Sequence, residues 1–371
     1  MKRLRICFVA QTMFPLLDPR GRLPDIGGAE LQQLLLGREL ANRGHEVSYI
    51  TMDYGQEEIE TIGPFTVIST FKPKEGIRGL RFVYPRLLKI WRALKRSEAD
   101  IYYVRCANFI LAPVVWFARR HRKKVVFCGA SDPDFDPQRV TVPILRDRIL
   151  YFWGLKRCDA IIVQNEVQQK LLQKHFRREA TIIHNGLQKA DTSSQAKGEI
   201  LWVGNFKWYK RPRLFIELAR KIPHERFVMI GGSSMNGSQK LYHSLAEQAR
   251  QVPNLQMRGF LPFEEVEKAF GRAKLFVNTS EHEGFPNTFL QAWSKGIPVI
   301  SFVDPDDLIQ KNHLGLVVKD LEEMAQKTQE VAENRIEFSP EQIRQYFEAN
   351  LTLEKMVDRY ESLLHSLNGK R

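Results

Sequence analysis

Short apolar runs alternate with longer stretches of helical periodicity along the 371-residue chain. In the first half, residues 4–10, 46–51, 101–104, 124–128 and 160–164 have the length and apolar content of buried strands. A Gly-Gly loop and a helical stretch from Glu30 to Arg43 follow the first run, and Gly44 closes that helix. Residues 188–198 are polar, without periodicity, and read as a linker. The alternation restarts at residues 199–203, 226–230, 255–258, 274–277 and 298–301. From about Pro340 the pattern is helical, with Met356, Tyr360, Leu363 and Leu364 at helical spacing. Strands alternating with helices imply parallel sheets covered on both faces. The predicted fold class is α/β, two doubly wound Rossmann-like domains facing a cleft. The first domain spans 1–187, the linker 188–198 and the second domain 199–339; the helices of 340–371 cross back to the first domain. In such sheets ligands bind beyond the carboxyl ends of the strands.

Segment 280–300 carries the most chemistry. A strand at 274–279 runs into an acidic loop containing Gly284, and Pro286 suits a first helical position, where its missing N–H costs nothing. Gly296 suits the left-handed residue that ends the helix. Glu283 therefore stands beside a helix N-terminus whose N–H groups attract anions. A helix end holding phosphate beside a carboxylate gripping hydroxyls points to a phosphorylated sugar. The second domain's first strand ends at Gly204, in a loop with Lys207, Lys210 and Arg211. Such cations neutralise a diphosphate or form an exposed basic loop. Both loops leave the same predicted sheet at the same edge, which favours the diphosphate.

Composition narrows the class. A hydrophobic content of 43% is ordinary for globular protein. Cys7, Cys106, Cys128 and Cys158 form no CxxC pair and read as buried thiols in a reducing cytosol. The apolar start of the chain ends at Gln11, too early for a signal peptide, and the longest apolar run, 107–118, is too short to span a bilayer. The expected location is cytoplasmic, or peripheral on the inner face of the membrane. Of the net charge of +13, residues 1–200 carry +12, with 33 Lys/Arg against 21 Asp/Glu. One half thus faces an anionic partner. The excess centres on Arg78, Arg81, Arg86, Lys89, Arg92, Lys95 and Arg96, interleaved with Leu87, Leu88, Ile90, Trp91 and Leu94, and on residues 119–124. A basic amphipathic helix lies on anionic lipid, each cation adding about 1 kcal/mol, or is a domain helix with a solvated basic face. The confinement of the excess to one half favours lipid. No aromatic stacking platform accompanies the cations, which argues against nucleic acid. No G-x-G-x-x-G follows the first strand, which argues against a dinucleotide enzyme.

Four stretches together resemble glycosyltransferase family 4, the retaining, nucleotide-sugar-dependent enzymes of the GT-B fold. They are Gly27-Gly28 through Glu30, Gly204 through Lys210, Gly259-Phe260-Leu261, and Glu283 through Pro298; residues 356–360 of the closing helix add to them. The resemblance implies that Gly27 and Gly28 approach the donor phosphates and that Lys210 contacts the diphosphate. Glu283 matches the first acid of an E-x7-E signature and holds hydroxyls of the transferred sugar. Backbone N–H groups around Gly284, Phe285, Asn287 and Thr288 meet the phosphates, and Phe260 and Leu261 lie near the base. The chain departs from the pattern at three places. The second signature acid is Gln291, an amide that hydrogen-bonds ribose hydroxyls more weakly than a carboxylate does. A basic residue after the first loop glycine is replaced by Asn205, for which Lys207 or Arg211 compensates. A catalytic-site His-Asp is replaced by Ser131-Asp132, so Asp132 is the first-domain group expected either at the sugar or acceptor hydroxyl or as a turn cap.

Asp132, Asp134 and Asp136 also satisfy the D-x-D pattern that binds metal in the other major glycosyltransferase fold, but Pro-rich Asp turns are common loop chemistry. The expectation is no metal and no cofactor beyond a UDP- or GDP-linked sugar as co-substrate. The implied activity is retaining transfer to a glycan or lipid-linked acceptor in cell-surface polysaccharide synthesis. A sugar-nucleotide epimerase or a donor-binding homologue without transferase activity is the alternative.

Overall fold

The computed structural model describes residues 2–18, 27–76, 82–190, 198–232 and 239–369. Arg78, Arg81 and most of the expected linker, residues 191–197, lie outside the described residues. The chain divides into two compact units, Met1–His184 with Leu353–Arg371, and Asn185–Thr352.

The first unit holds β1 (Arg5–Val9), β2 (Glu46–Thr51), β3 (Ile59–Ile62), β4 (Phe65–Ser69), β5 (Ile101–Arg105), β6 (Lys124–Cys128), β7 (Ala160–Val163) and β8 (Thr181–Ile182). Their order in the sheet is β3-β4-β2-β1-β5-β6-β7-β8, and only the β3–β4 pair is antiparallel. Both faces of β1 are buried. Ile6 and Phe8 join one apolar cluster while Cys7 and Val9 join another on the opposite face, so the strand reads as continuously apolar. The β3–β4 hairpin escaped the sequence reading because β3 is a short, partly exposed edge strand with Glu60 in its middle and no apolar run.

The second unit holds β9 (Glu199–Val203), β10 (Arg226–Ile230), β11 (Leu255–Met257), β12 (Ala273–Asn278), β13 (Val299–Ser301) and β14 (Gly315–Val317). All its pairings are parallel, in the order β11-β10-β9-β12-β13-β14. This is the doubly wound order, with its reversal between β9 and β12. One face carries Ile200, Trp202, Leu275 and Val277 beneath the helix Pro212–Lys221. On the other, Phe276 meets Phe270 at 5.4 Å and Phe289 at 6.4 Å between ring centres.

The closing segment splits. Helix Pro340–Asn350 stays with the second unit, where a side chain on Gly296 (φ +67°) would come within 2.5 Å of the Pro340 carbonyl. Only helix Leu353–Gly369 joins the first unit, so the return crossing begins at 353 rather than at the expected 340. Its Leu353, Met356, Val357, Tyr360 and Leu364 cover the Ile6/Phe8 face. Polar contacts fix the docking: Arg43 Nη1 donates to Asp358 (2.6 Å) and Glu361 (2.9 Å), and His45 Nε2 meets Glu361 Oε1 at 3.0 Å.

Among the described residues, no helix is long and apolar enough to cross a membrane.

Burial alone would raise the Glu361 carboxyl, but hydrogen bonds from Arg43 and His45 outweigh it and hold it below the usual carboxylate range. A depressed carboxyl stabilises the fold above its unfolded value, and that contribution fades as pH falls through the folded value. Glu361→Gln should therefore lower stability by about 1–3 kcal/mol near neutral pH, and thermal melts should show the difference from the parent protein shrinking in acid.

Candidate functional site

In the second unit the strand-order reversal brings two loops to one edge of the sheet. One leaves β9 and leads to helix Pro212–Lys221; the other leaves β12 and leads to helix Asn287–Ser294, on the opposite face. Thr279 ties them together. Trp202 Nε1 donates to its Oγ1 (2.9 Å), and that hydroxyl donates to the Lys210 carbonyl (2.7 Å). Glu281 N donates to the Tyr209 carbonyl at 2.7 Å. Arg211, in the left-handed region at φ +46°, donates through Nε to the Thr279 carbonyl (2.9 Å) and lies 4.6 Å above the Phe302 ring. Its guanidinium is committed to the loop backbone, which corrects the expectation that it compensates for Asn205 at a diphosphate.

The tie places Lys210 Nζ in an ion pair with Glu283 Oε1, to which Asn278 Nδ2 also points at 3.5 Å. The two side chains are 23% and 10% exposed, so the pair is largely shielded yet reachable. Tyr209 stacks on His282 at 4.8 Å beside it, and Trp208 stands out into solvent.

Gly284 and Phe285 are buried where the β12 loop meets the helix. Pro286 is the cap rather than the first helical residue. Its ψ of 126° keeps it extended, and helix Asn287–Ser294 opens with Asn287 and Thr288, both half-buried. Asn185, which the sequence did not single out, secures this end: its Nδ2 donates to the Phe285 carbonyl (2.8 Å) and to Asn287 Oδ1 (3.0 Å). The contact spans 100 residues of chain, so no local pattern announces it.

The β9 loop is pressed against its neighbours. Gly204 N donates to the Ile230 carbonyl at 3.0 Å and Phe206 N to the Gly232 carbonyl at 2.9 Å, while a side chain on Gly231 would fall 1.9 Å from the Gly204 oxygen. Asn205 and Lys207 are half-buried in this loop. Phe260 is 37% exposed and Leu261 half-buried beyond β11, just ahead of helix Phe263–Arg272. Gln291 is buried; its Nε2 donates to Glu267 Oε1 (2.8 Å), and Lys295 pairs with the other Glu267 oxygen at 3.0 Å.

Gly27, Gly28 and Asp132 belong to the first unit. Gly27 caps helix Gly28–Asn42, and Glu30 in that helix accepts from Thr12 Oγ1 at 3.2 Å. Asp132 accepts from Asn165 (3.3 Å) and Gln168 (3.2 Å), at the start of helix Glu166–Phe176. The turn cap belongs instead to Ser131 with Asp134, whose carboxylate takes N–H bonds from Ala130 (2.7 Å) and Ser131 (3.2 Å). Burial nonetheless pushes the Asp134 carboxyl above its ordinary value. Asp136 accepts from Gln138 N at 2.9 Å. Asp134 and Asp136 are thus occupied in local turn chemistry.

Elsewhere among the described residues, His45, Glu361 and His365 place ligand atoms within 4.8 Å of one another. His45 Nδ1, however, accepts from Leu4 N at 3.1 Å, which leaves the proton on Nε2, the atom facing Glu361. A metal at Nε2 would have to displace the ring's one proton while Nδ1 keeps none, the opposite of the usual arrangement for a metal-bound histidine. The cluster is a docking contact for the closing helix.

The basic helix Leu88–Arg96 turns Ile90 and Leu94 into the core, while Arg92, Lys95 and Arg96 face solvent. Its apolar face is used inside the unit. Outward-facing apolar side chains occur beside it: Leu88, Trp116 on helix Leu111–Arg120, and Leu145 and Ile149 on helix Leu145–Leu155. Trp91 and Trp116 pack at 5.0 Å, and helix Leu111–Arg120 packs on both other helices.

Residues 26–190 match the family described as Glycosyltransferase Family 4, and residues 197–334 that described as Glycosyl transferases group 1. An uncharacterised glycosyltransferase of Methanocaldococcus jannaschii is 27% identical over 181 residues, 41% of this chain and 42% of that protein. The chain thus matches less than half the length of this curated relative. Among solved structures, sucrose-phosphate synthase from Thermosynechococcus elongatus superposes with a TM-score of 0.77 at 17% identity over all of both chains. The Anabaena protein HepE, in complex with UDP and glucose, gives 0.74 at 14% identity over 98% of this chain and 100% of its own. The lipopolysaccharide outer core galactosyltransferase WaaB gives 0.66 at 15% identity over 97% and 99%. The fold is of the GT-B class, two Rossmann-like units with parallel sheets.

Thr279→Val keeps the shape of the side chain that ties the loops but removes both its hydrogen bonds. Stability measured by denaturant unfolding should fall by about 1–3 kcal/mol.

Proposed function

We propose that this chain, which belongs to the glycosyltransferases of family 4, moves a sugar from a nucleoside diphosphate to a hydroxyl of a glycan or lipid-linked acceptor. The observation that carries the reading is the Lys210–Glu283 pair, held at a sheet switch point beside the N-terminus of helix Asn287–Ser294. With no donor bound, the two charges neutralise each other. A bound donor offers each a better partner: its diphosphate takes Lys210 and the helix N–H groups, and a sugar hydroxyl donates to Glu283.

In the reaction the bond from the anomeric carbon to the diphosphate oxygen breaks as positive charge grows on the ring. Lys210 and the helix end stabilise the departing diphosphate more than the intact donor. Glu283 orients the sugar. The acceptor oxygen bonds to the anomeric carbon on the face the diphosphate leaves, and a diphosphate oxygen takes its proton, so configuration is retained without a protein base. Lys207 and the N–H groups of Asn205, Gly284, Phe285, Asn287 and Thr288 complete the phosphate side, with Gly204 holding its loop against β10, while Phe260 and Leu261 flank the base. Gly27, Gly28 and Asp132 serve the first unit's share, with Asp132 toward the acceptor hydroxyl. A lysine and a helix N-terminus supply the charge that a metal would otherwise provide.

The donor is UDP- or GDP-linked. HepE was solved with UDP and glucose, which makes UDP-glucose the first donor to try. We place the enzyme in cell-surface polysaccharide synthesis, in the cytoplasm or at the inner face of the membrane. The supporting observation is the group of Leu88, Trp116, Leu145 and Ile149, exposed among Arg92, Lys95, Arg119 and Arg120.

Lys210→Ala and Glu283→Ala should each reduce transfer roughly 100-fold or more with little change in melting temperature, and EDTA should leave the rate unchanged. Near-native turnover in either variant would overturn the assignment. For the surface, sedimentation with phosphatidylglycerol vesicles should pull down the protein, whereas phosphatidylcholine vesicles should not. Leu145→Asp with Ile149→Asp should abolish that binding, and equal sedimentation with both lipids would refute an anionic partner.

A further inference from the structure

The amide at position 291 has a carboxylate neighbour that is distant in sequence. Gln291 Nε2 donates to Glu267 Oε1 at 2.8 Å, and Lys295, which caps the end of the same helix, holds the other Glu267 oxygen at 3.0 Å. Glu267 itself lies on helix Phe263–Arg272, directly after the Phe260-Leu261 segment. Its carboxylate therefore bridges two parts of the donor site proposed above: the segment set against the base and the helix whose N-terminus receives the diphosphate. Gln291 stands about 6 Å along that helix from Asn287, at 1.5 Å per residue. In a nucleoside diphosphate, the unit that connects base to diphosphate is ribose, and its free groups are two hydroxyls.

We propose that Glu267 reads the ribose of the donor, its carboxylate accepting the hydroxyls for which Gln291 alone offers only an amide. The inference rests on the donor reading of the previous subsection. An ionised carboxylate offers about four acceptor positions. Gln291 and Lys295 each occupy one, and the Glu267 side chain remains 23% exposed. The same contact accounts for the amide. A glutamate at 291 would set two carboxylates within hydrogen-bond reach, and like charges so close force one to take up a proton. With glutamine there, Glu267 is aimed by the N–H it accepts, and Lys295 fixes the other oxygen. The charge that the signature lacks on one helix is thus supplied by its neighbour.

The test compares binding of UDP and GDP with that of dUDP and dGDP, by calorimetry, to the full chain and to Glu267→Gln. The amide oxygen introduced in Glu267→Gln can still accept from Gln291, so the variant should fold, and its melt is recorded alongside. The wild-type protein should bind the ribonucleotide of its preferred base roughly tenfold or more tightly than the deoxy form, the worth of a hydrogen bond to a charged acceptor. In Glu267→Gln that ratio should fall toward one, because the ribonucleotide loses two hydroxyl contacts and the deoxynucleotide only the 3′ one. The double variant Glu267→Gln with Gln291→Glu moves the carboxylate to the other helix and should restore discrimination. An unchanged ratio in Glu267→Gln, or an equal loss for both nucleotides, overturns the role of Glu267 while leaving the donor site standing. Failure of the wild-type chain to bind any of the four nucleotides overturns the donor reading, and this inference with it.

Discussion

The reversal of strand order between β9 and β12 is the constraint on which the second unit's chemistry depends. Adjacent parallel strands normally send their helices to the same face, and those connections close over the strand ends. Here the two central strands send theirs to opposite faces, so their carboxyl ends open side by side. Residues 70 or more positions apart then meet without any local sequence requirement, and the ion pair of Lys210 with Glu283 follows. The glycines serve the same end. Gly231 lets β10 approach the β9 loop so closely that a methyl group would collide with backbone.

Much of the loop chemistry is spent on rigidity. Arg211, Thr279 and Trp202 use their polar groups on one another and on loop carbonyls, which sets the Lys210–Glu283 pair in a fixed frame. A pair that is already placed loses little conformational entropy when a ligand separates its charges. The arrangement also divides labour between cations of the same loop. Arg211, with its planar fork, reaches two backbone oxygens, and the compact ammonium of Lys210 meets Glu283.

The legibility of the chain follows the range of its interactions. Strand β1, buried on both faces, was plain, since Ile6, Cys7, Phe8 and Val9 all need apolar surroundings. Lys210 and Glu283 were found because each lies in a loop with its own local signal. Edge strand β3 lacked an apolar run, and Asn185 and Glu267 act on partners 100 and 24 residues away, so nothing near them in sequence marks them. The basic helix was legible only in part. Its apolar positions are real, but Ile90 and Leu94 are consumed by the core of their own unit. Amphipathicity tells that a face is covered, and only the fold tells by what.

The docking of helix Leu353–Gly369 onto the first unit bears on how the chain is made. Synthesis delivers the first 184 residues, then the whole second unit, and only then the helix that covers Ile6 and Phe8 and pins His45. Until the ribosome reaches the end of that helix, the first unit carries an uncovered apolar face, and the second is free to fold in the interval. The seventeen residues of helix Leu353–Gly369 therefore act as the closing step for a domain begun more than three hundred residues earlier.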